Sequence, residues 1–235
     1  MKQGTLLLLF MLGFSQLHFG QGLNSLTKKE KKKGWELLFD GETTKGWHTF
    51  RQSAPGEAWK ARDGMLYLDV SQMRGRGDIV TDQEFGDFHL VFEWMIGAKA
   101  NSGIIFMVQE RASDRATWHT GPEYQLIDNI NYPAKLDPRQ MSASLYDLIA
   151  CPVELVKPAG EWNTGAIKLE KGNLKLYVNG KLAVSTKLWD ENWDRLVAGS
   201  KFIKEKDFAK FPRGKIAIQD HGGAVWMRNI KIKSL

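Results

Sequence analysis

The feature that most constrains this chain is a recurring alternation of short β-branched or aromatic runs with turn dipeptides. Trp59 to Leu68 carries Asp63-Gly64 at its centre, the signature of a tight hairpin. Gly165 to Glu170, Leu174 to Val178 and Leu182 to Thr186 are separated by Lys171-Gly172-Asn173 and Asn179-Gly180, which predicts a three-strand meander. Trp35 to Gly41 (WELLFDG) predicts a strand ending in a turn, and Phe88 to Ile96 a longer strand. Ser102 to Gln109 (SGIIFMVQ) is apolar almost throughout, as in a strand covered on both faces. Lys215 to Gln219 and Val225 to Lys233 flank Asp220-His221-Gly222-Gly223 near the end of the sequence. Many short strands with Gly and Asn turns imply an all-β fold, a sandwich or a barrel. Two stretches stand outside this rhythm. Asn129 to Ala143 predicts a long loop, and Trp189 to Pro212 a polar, aromatic segment with a short helix near Asp190 to Leu196. Long loops on a rigid scaffold are where binding sites tend to be placed.

Ahead of this pattern, residues 1–20 have the form of a secretory signal peptide. Lys2 is the positive end, Thr5 to Phe14 the apolar centre, and Ser15, Gly20 and Gly22 the small residues that follow. The apolar run is too short to span a bilayer comfortably, so the expectation is export without membrane insertion, to the periplasm or the exterior. Residues 21–33 then predict a flexible, solvated Lys-rich linker, and residues 34–235 a single domain. Much of the net charge of +6 sits in KKEKKK, Lys28 to Lys33. The rest is mixed in sign, with no basic stripe interleaved with stacking aromatics, which argues against nucleic acid as a partner. Cys151 is the only cysteine, so no internal disulfide forms, and in LIACPVE it reads as a packed small residue.

The polar residues worth following lie within apolar runs. In EYQLID, Glu123 to Asp128, strand parity puts Glu123, Gln125 and Ile127 on one face and Tyr124, Leu126 and Asp128 on the other. Tyr124 and Leu126 suit a core, which leaves Glu123 and Gln125 to a solvated face or a binding face. Asp128 joins them only if a bulge or the strand end re-aims it. In IQDHG, Gln219 and His221 share a face, and His221 precedes two glycines where a backbone approaches a ligand. Tyr146 and Asp147 in SLYDLI, Lys201 in GSKF and Asn101 before the apolar strand are further candidate contacts. Trp118 and Trp226 are candidate stacking surfaces for a sugar. Glu123, Asp128 and His221 are the residues from which a divalent metal site could be assembled; no cofactor is otherwise indicated. No zinc motif, phosphate-binding glycine loop or nucleophile elbow occurs.

Taken in order, these stretches resemble the 3-keto-disaccharide hydrolase domain family. The resemblance runs from Gly34 to Ser234 through GWELLFDGETTKGW, GDIVTDQEF, FEWMI with NSGIIF, GPEYQLIDN, SLYDLI, KPAGEWN, VNGK, VAGSKF and IQDHGGAVWMRNIKIK. It departs from the family where Tyr132, in place of a His, precedes Pro133, and where KLYVNG lacks a Trp near the Asn-Gly turn. The resemblance implies a concanavalin-like jelly roll of two curved antiparallel sheets and cleavage of glycosides oxidised to a ketone at carbon 3. Matched motif by motif, it points to Glu123, Gln125, Asp128, Tyr146, Lys201 and His221.

Such a ketone acidifies the proton on carbon 2. A base removes it, the aglycone leaves carbon 1, and water adds to the resulting enone. The site then needs a base, an acid and a partner for the enolate oxygen. Glu123 and His221 are the candidates for base and acid, in either order. Lys201, Tyr146 or a metal would meet the enolate, and Asn101, Gln125, Asp128, Asp147, Gln219 and Trp118 would bind the sugar. Two other readings stay open: a conventional jelly-roll glycosidase, and a lectin-like module without catalysis. EYQLID resembles the Glu-x-Asp-x-x-Glu strand of jelly-roll glucanases, but Gln125 replaces the middle acid and Asp128 shortens the last.

Overall fold

In the computed structural model the described residues are 22–235; the expected signal peptide lies outside them. The chain is built from two antiparallel sheets packed face to face. The larger is ordered β11-β10-β9-β6-β13-β4-β3, with β1 also paired to β13. Its strands are β1 (Trp35–Leu37), β3 (Trp59–Arg62), β4 (Met65–Leu68), β6 (Phe88–Ile96), β9 (Asn163–Glu170), β10 (Asn173–Val178), β11 (Lys181–Lys187) and β13 (Val225–Ser234). The smaller sheet is ordered β2-β5-β12-β7-β8 and comprises β2 (Trp47–Thr49), β5 (Ile79–Thr81), β7 (Asn101–Val108), β8 (Glu123–Ile127) and β12 (Lys215–Ile218). The chain steps from one sheet to the other between β6 and β7 and again between β12 and β13, as in a jelly roll. The all-β expectation therefore holds, and no helix among the described residues is long and apolar enough to cross a membrane.

The hairpins fold where the turn residues permit it. Asp63 and Gly64 both adopt positive φ (53° and 73°), as do Asn179 and Gly180 (48° and 78°), the mirror-image turns that match strand twist. Strand β6 alternates buried and half-buried residues along its whole length, so Phe88, Leu90, Phe92, Trp94 and Ile96 face the other sheet. The main core fills the space between the sheets with these residues, Phe106, Tyr124, Leu126, Ile167, Leu169, Leu176 and Met227. A second, smaller cluster of Val80, Ile105, Val108 and Ala217 lies on the opposite face of the small sheet, under Phe50 and Trp118. That outer face is where the candidate site is built.

Two expectations change, and a third is met. The Trp35 to Gly41 strand stops at Leu37, because Asp40 takes the backbone N–H groups of Glu42 and Thr43 at 2.8 and 2.7 Å and starts a turn. The Lys-rich run is not a flexible linker. It contains a helix, α1 (Lys28–Lys32), started by a capping box in which the Thr27 hydroxyl accepts from Glu30 N–H and the Glu30 carboxylate accepts from Thr27 N–H. Glu30 also pairs with Lys231, and Asn24 exchanges backbone-to-amide hydrogen bonds with Asn229 at 2.7 and 2.8 Å, which ties this segment to β13. In the Trp189 to Pro212 segment, the expected helix is α2 (Glu191–Ala198), capped by Asp190 and followed by a 3-10 turn at Lys201–Lys204.

One close approach fixes the spacing behind the site. Gly165 opposes Phe92, and a Cβ there would stand 2.4 Å from the Phe92 ring. The same ring meets Tyr124 edge to face, with centroids 5.4 Å apart. Gly165→Ala is expected to lower the unfolding free energy by about 1–3 kcal/mol through overpacking. Urea titration checks this; an unchanged midpoint would show that the Phe92 ring yields freely.

Candidate active site

Residues directly opposite on antiparallel strands face the same side, so the register assigns the outer face of the small sheet. Gln125 opposes Gly103, Ile104 opposes Ile218, and Ile218 opposes Ile79. One step along, Gln219 donates its N–H to the Gly103 carbonyl at 2.9 Å, and Asp220 donates its N–H to Asp78 Oδ1 at 2.9 Å. Asp78, Gln219, Gly103 and Gln125 therefore form one row across β5, β12, β7 and β8. The gap above Gly103 is filled from the next row. A Cβ on Gly103 would lie 2.1 Å from Glu123 Oε1, so the Glu123 carboxyl lies flat on the bare glycine, between the two glutamines. A cleft of about 210 Å³ opens over this row, lined by Asn101, Trp118, Glu123, Gln125, Tyr146, Lys201, Gln219 and His221.

As strand parity requires, Tyr124 and Leu126 are in the core while Glu123 and Gln125 face the cleft. The face is not the solvated one that the sequence left open: Glu123 is 5% exposed and Gln125 1%. Burial raises the Glu123 pKa to about 8, opposed by the positive charge of Lys201 and reinforced by the negative charge of Asp78. The carboxyl is thus held neutral, as a proton donor, at neutral pH. Gln125 Oε1 accepts the N–H of Leu126 at 3.0 Å, which leaves its NH₂ as the free end. Asn101 Oδ1 and Gln219 Oε1 are buried without a hydrogen-bond partner among the described residues. A buried acceptor without a donor is costly, so both oxygens suit a ligand that brings hydroxyl hydrogens.

The opposite wall comes from the loops. The segment after the long loop pairs with the free edge of β8: Gln125 N–H donates to Ser144 O at 3.1 Å and Tyr146 N–H to Glu123 O at 3.0 Å. Tyr146 is thereby set beside Glu123. Its hydroxyl stays protonated because burial, then the nearby carboxylates, raise its pKa. Lys201 Nζ lies 4.2 Å from the Tyr146 ring centroid, 5.1 Å from that of Phe202 and 5.6 Å from that of Trp118. This aromatic nest steadies an ammonium without neutralising it. His221 is exposed at the rim, on the turn after β12.

Other expected contacts fall elsewhere. Asp128 does not turn into the cleft. It accepts the N–H groups of Lys99, Ile130 and Asn131 at 2.9, 3.0 and 3.1 Å and so closes the start of the long loop. Asp147 lies outside the cleft lining. It adopts positive φ (59°) and accepts Lys201 N–H at 2.8 Å, so it places the lysine without facing the cleft. Trp226 stands on the large sheet, opposite Tyr67 and Met95. With Asp128 committed to its own loop, the trio Glu123, Asp128 and His221 does not fit a metal; among the described residues no group of three His, Cys, Asp or Glu is placed to hold one. Cys151 is buried in the core cluster, and burial pushes its thiol up to about 11. The sequence reading passed over Asp78. Its only signal was a carboxylate in GDIV, ahead of a strand too short to announce itself.

Residues 34–233 match the 3-keto-alpha-glucoside-1,2-lyase-like domain. The chain belongs to this family. It is 33% identical over 239 residues to a 3-keto-disaccharide hydrolase of Bacteroides thetaiotaomicron, covering 91% of this chain and 82% of that protein. Among solved structures it is similar to a candidate glycosyl hydrolase of Parabacteroides distasonis, with TM-score 0.84 and 34% identity over 91% of this chain and 99% of that one. A second candidate glycosyl hydrolase of the same organism shares the fold, with TM-score 0.63 and 24% identity over 80% of this chain and 99% of that one.

The raised Glu123 pKa has a consequence for stability. The unfolded chain releases this proton near the ordinary value of 4.5, whereas the folded protein keeps it to about 8. The contribution of the neutral carboxyl is therefore fully present below pH 4.5 and declines as pH rises towards 8, at up to about 1.4 kcal/mol per pH unit. Glu123→Gln removes this dependence. Its stability relative to the parent should improve steadily across that window and then level off, measured by urea unfolding at stepped pH. A difference that stays constant with pH would mean that Glu123 ionises normally.

Proposed function

We propose that this chain is an exported hydrolase of 3-keto-glycosides that works by elimination and hydration. The observation that carries the reading is Glu123, a carboxyl 5% exposed with its pKa raised to about 8, opening onto the cleft. A neutral carboxyl in that position is an acid, which assigns the base to His221. The names of the family and of the Bacteroides relative support 3-keto sugars as the substrate class. Export rests on residues 1–20, and cell fractionation tests it: full-length chain retained in the cytosol would count against it.

The proposed steps conserve atoms and charge. His221 takes the proton from carbon 2, next to the ketone, and the electron pair becomes an enolate. Lys201 and the Tyr146 hydroxyl meet the oxygen that gains charge. The enolate re-forms the ketone with a carbon 1–carbon 2 double bond, the bond from carbon 1 to the aglycone oxygen breaks, and Glu123 protonates that oxygen. Glu123, now a carboxylate, takes a proton from water as the hydroxide adds to carbon 1. The imidazolium returns its proton to carbon 2. The sum is hydrolysis, and both side chains end as they began. The two amide oxygens without a partner among the described residues, Asn101 Oδ1 and Gln219 Oε1, accept hydroxyl hydrogens of the same ring, with Trp118 beside it.

A paired assay decides the class of reaction. The protein is incubated with a glucoside and with its 3-keto derivative, each with and without chelator. Cleavage of the 3-keto compound alone is expected, with exchange of solvent deuterium into carbon 2. Cleavage of the plain glucoside alone would overturn the mechanism, and sugar binding without cleavage would favour a lectin. Gln219→Met should raise KM roughly tenfold for each hydroxyl bond lost, whereas Glu123→Gln should lower kcat by about two orders of magnitude or more. Full turnover by the latter would remove Glu123 as the acid.

A further inference from the structure

We propose that Asp78 is the positioning residue of this cleft, one carboxylate that fixes the His221 turn and the Trp118 turn to each other across the small sheet. The proposal takes from the preceding reading only that His221, Glu123 and Trp118 meet the substrate. Asp78 stands on the cleft face next to Gln219, since Ile79 opposes Ile218 and the row outward pairs residues 78 and 219. Its Oδ1 accepts the N–H of Asp220 at 2.9 Å, at the base of the turn that carries His221. Its Oδ2 accepts the hydroxyl of Thr117, the fully buried residue that precedes Trp118.

The His221 side of this clamp is reciprocal. Asp220 accepts the N–H of Gly77 at 2.9 Å and that of Gly222 at 3.1 Å, and Arg76 grips the same carboxylate from Nε at 2.7 Å and Nη2 at 2.5 Å. Residues 76–78 and 220–222 thus interlock through two carboxylates, each taking a backbone N–H from the other segment. The His221 ring has no hydrogen bond of its own among the described residues, so its direction is inherited from this backbone. On the other side, Thr117 O accepts the N–H of Gly121 at 3.1 Å and holds the 3-10 turn Thr117–His119 that presents Trp118.

The ionisable groups around Asp78 are Arg76 and Asp220 from the two interlocked segments, His221 above them and Glu123 from β8, and burial raises the pKa of Asp78 itself against the hydrogen bonds from Thr117 and Asp220. Asp78 therefore has an electrostatic effect as well as a mechanical one. It lies two strand spacings from the row position of the Glu123 carboxyl, about 10 Å, and its charge raises the Glu123 pKa.

Asp78→Asn and Thr117→Val separate the two effects. With a 3-keto-glycoside, D78N should lower kcat tenfold or more with KM changed only a few-fold. Its basic pH limb, set by Glu123, should move to lower pH by roughly half a unit to one unit. T117V keeps the charge, so it should raise KM and leave that limb in place. In NMR spectra without substrate, the His221 imidazole and Trp118 indole resonances should shift or broaden in D78N, and those of Trp118 in T117V. His221 and Trp118 resonances unchanged in D78N would overturn the proposal, as would a basic limb that does not move. If D78N fails to fold, T117V decides alone: an unmoved Trp118 resonance and an unchanged KM overturn it. If Glu123→Gln retains full turnover, the preceding reading fails while the substrate-free resonances still test Asp78.

Discussion

The site depends first on the pairing of β8 along both of its edges. On one side β8 runs antiparallel to β7, from Asn101 opposite Ile127 to Ile105 opposite Glu123. On the other, its backbone groups are taken up by Ala143, Ser144 and Tyr146. With period two, a slip of one residue would exchange Glu123 and Gln125 for Tyr124 and Leu126. The core prevents the slip. Tyr124 is wholly buried against Phe92, with its hydroxyl donating to Tyr177 O at 3.2 Å, a position that a carboxylate could not occupy. The position of the Glu123 carboxyl is thus set from the back of the strand by packing.

A buried carboxyl is unfavourable for folding, and the surroundings of Glu123 limit that cost without removing it. Gly103 gives it room, and Lys201 supplies a positive charge that acts on it without a direct ion pair among the described residues. A contact ion pair would hold Glu123 ionised and not neutral. Holding the ammonium over the rings of Tyr146, Phe202 and Trp118 keeps it available to a second anionic centre. Asp147 works to the same end from behind, since its carboxylate bonds the lysine backbone and leaves the side chain free.

Much of the sandwich was legible in the sequence. The turn residues Asp63-Gly64 and Asn179-Gly180 and the long runs that became β6, β7, β9 and β13 carry local signals strong enough to stand alone. Strands β2 and β5, at three residues each, do not: their pairing is decided by neighbours far along the chain. The helix at Lys28–Lys32 has no apolar periodicity and is stabilised by a capping box and by contacts to β13. The cleft was legible where parity governs, at Glu123 and Gln125. It was not legible at Asp128, where two readings of a strand end were open and the loop's backbone donors decided between them. Asp78 and Thr117 could not be joined by spacing, because 39 residues separate two groups that share one hydrogen bond.

The amide at position 125 bears on which strands supply the reaction. A carboxylate there would place a like charge beside Glu123 on the same strand, as in a mechanism where acid and nucleophile flank one bond. Gln125 instead has its oxygen committed to Leu126 N–H and offers only donors to the cleft. In the proposed reaction strand β8 then provides the acid and a hydroxyl-binding amide, but no base. The base proposed for the reaction comes from across the sheet, where His221, on the turn after β12, lines the same cleft. Acid and base approaching from different strands suit a reaction that breaks bonds at two neighbouring carbons, and the rigidity of the His221 turn then matters as much as its chemistry.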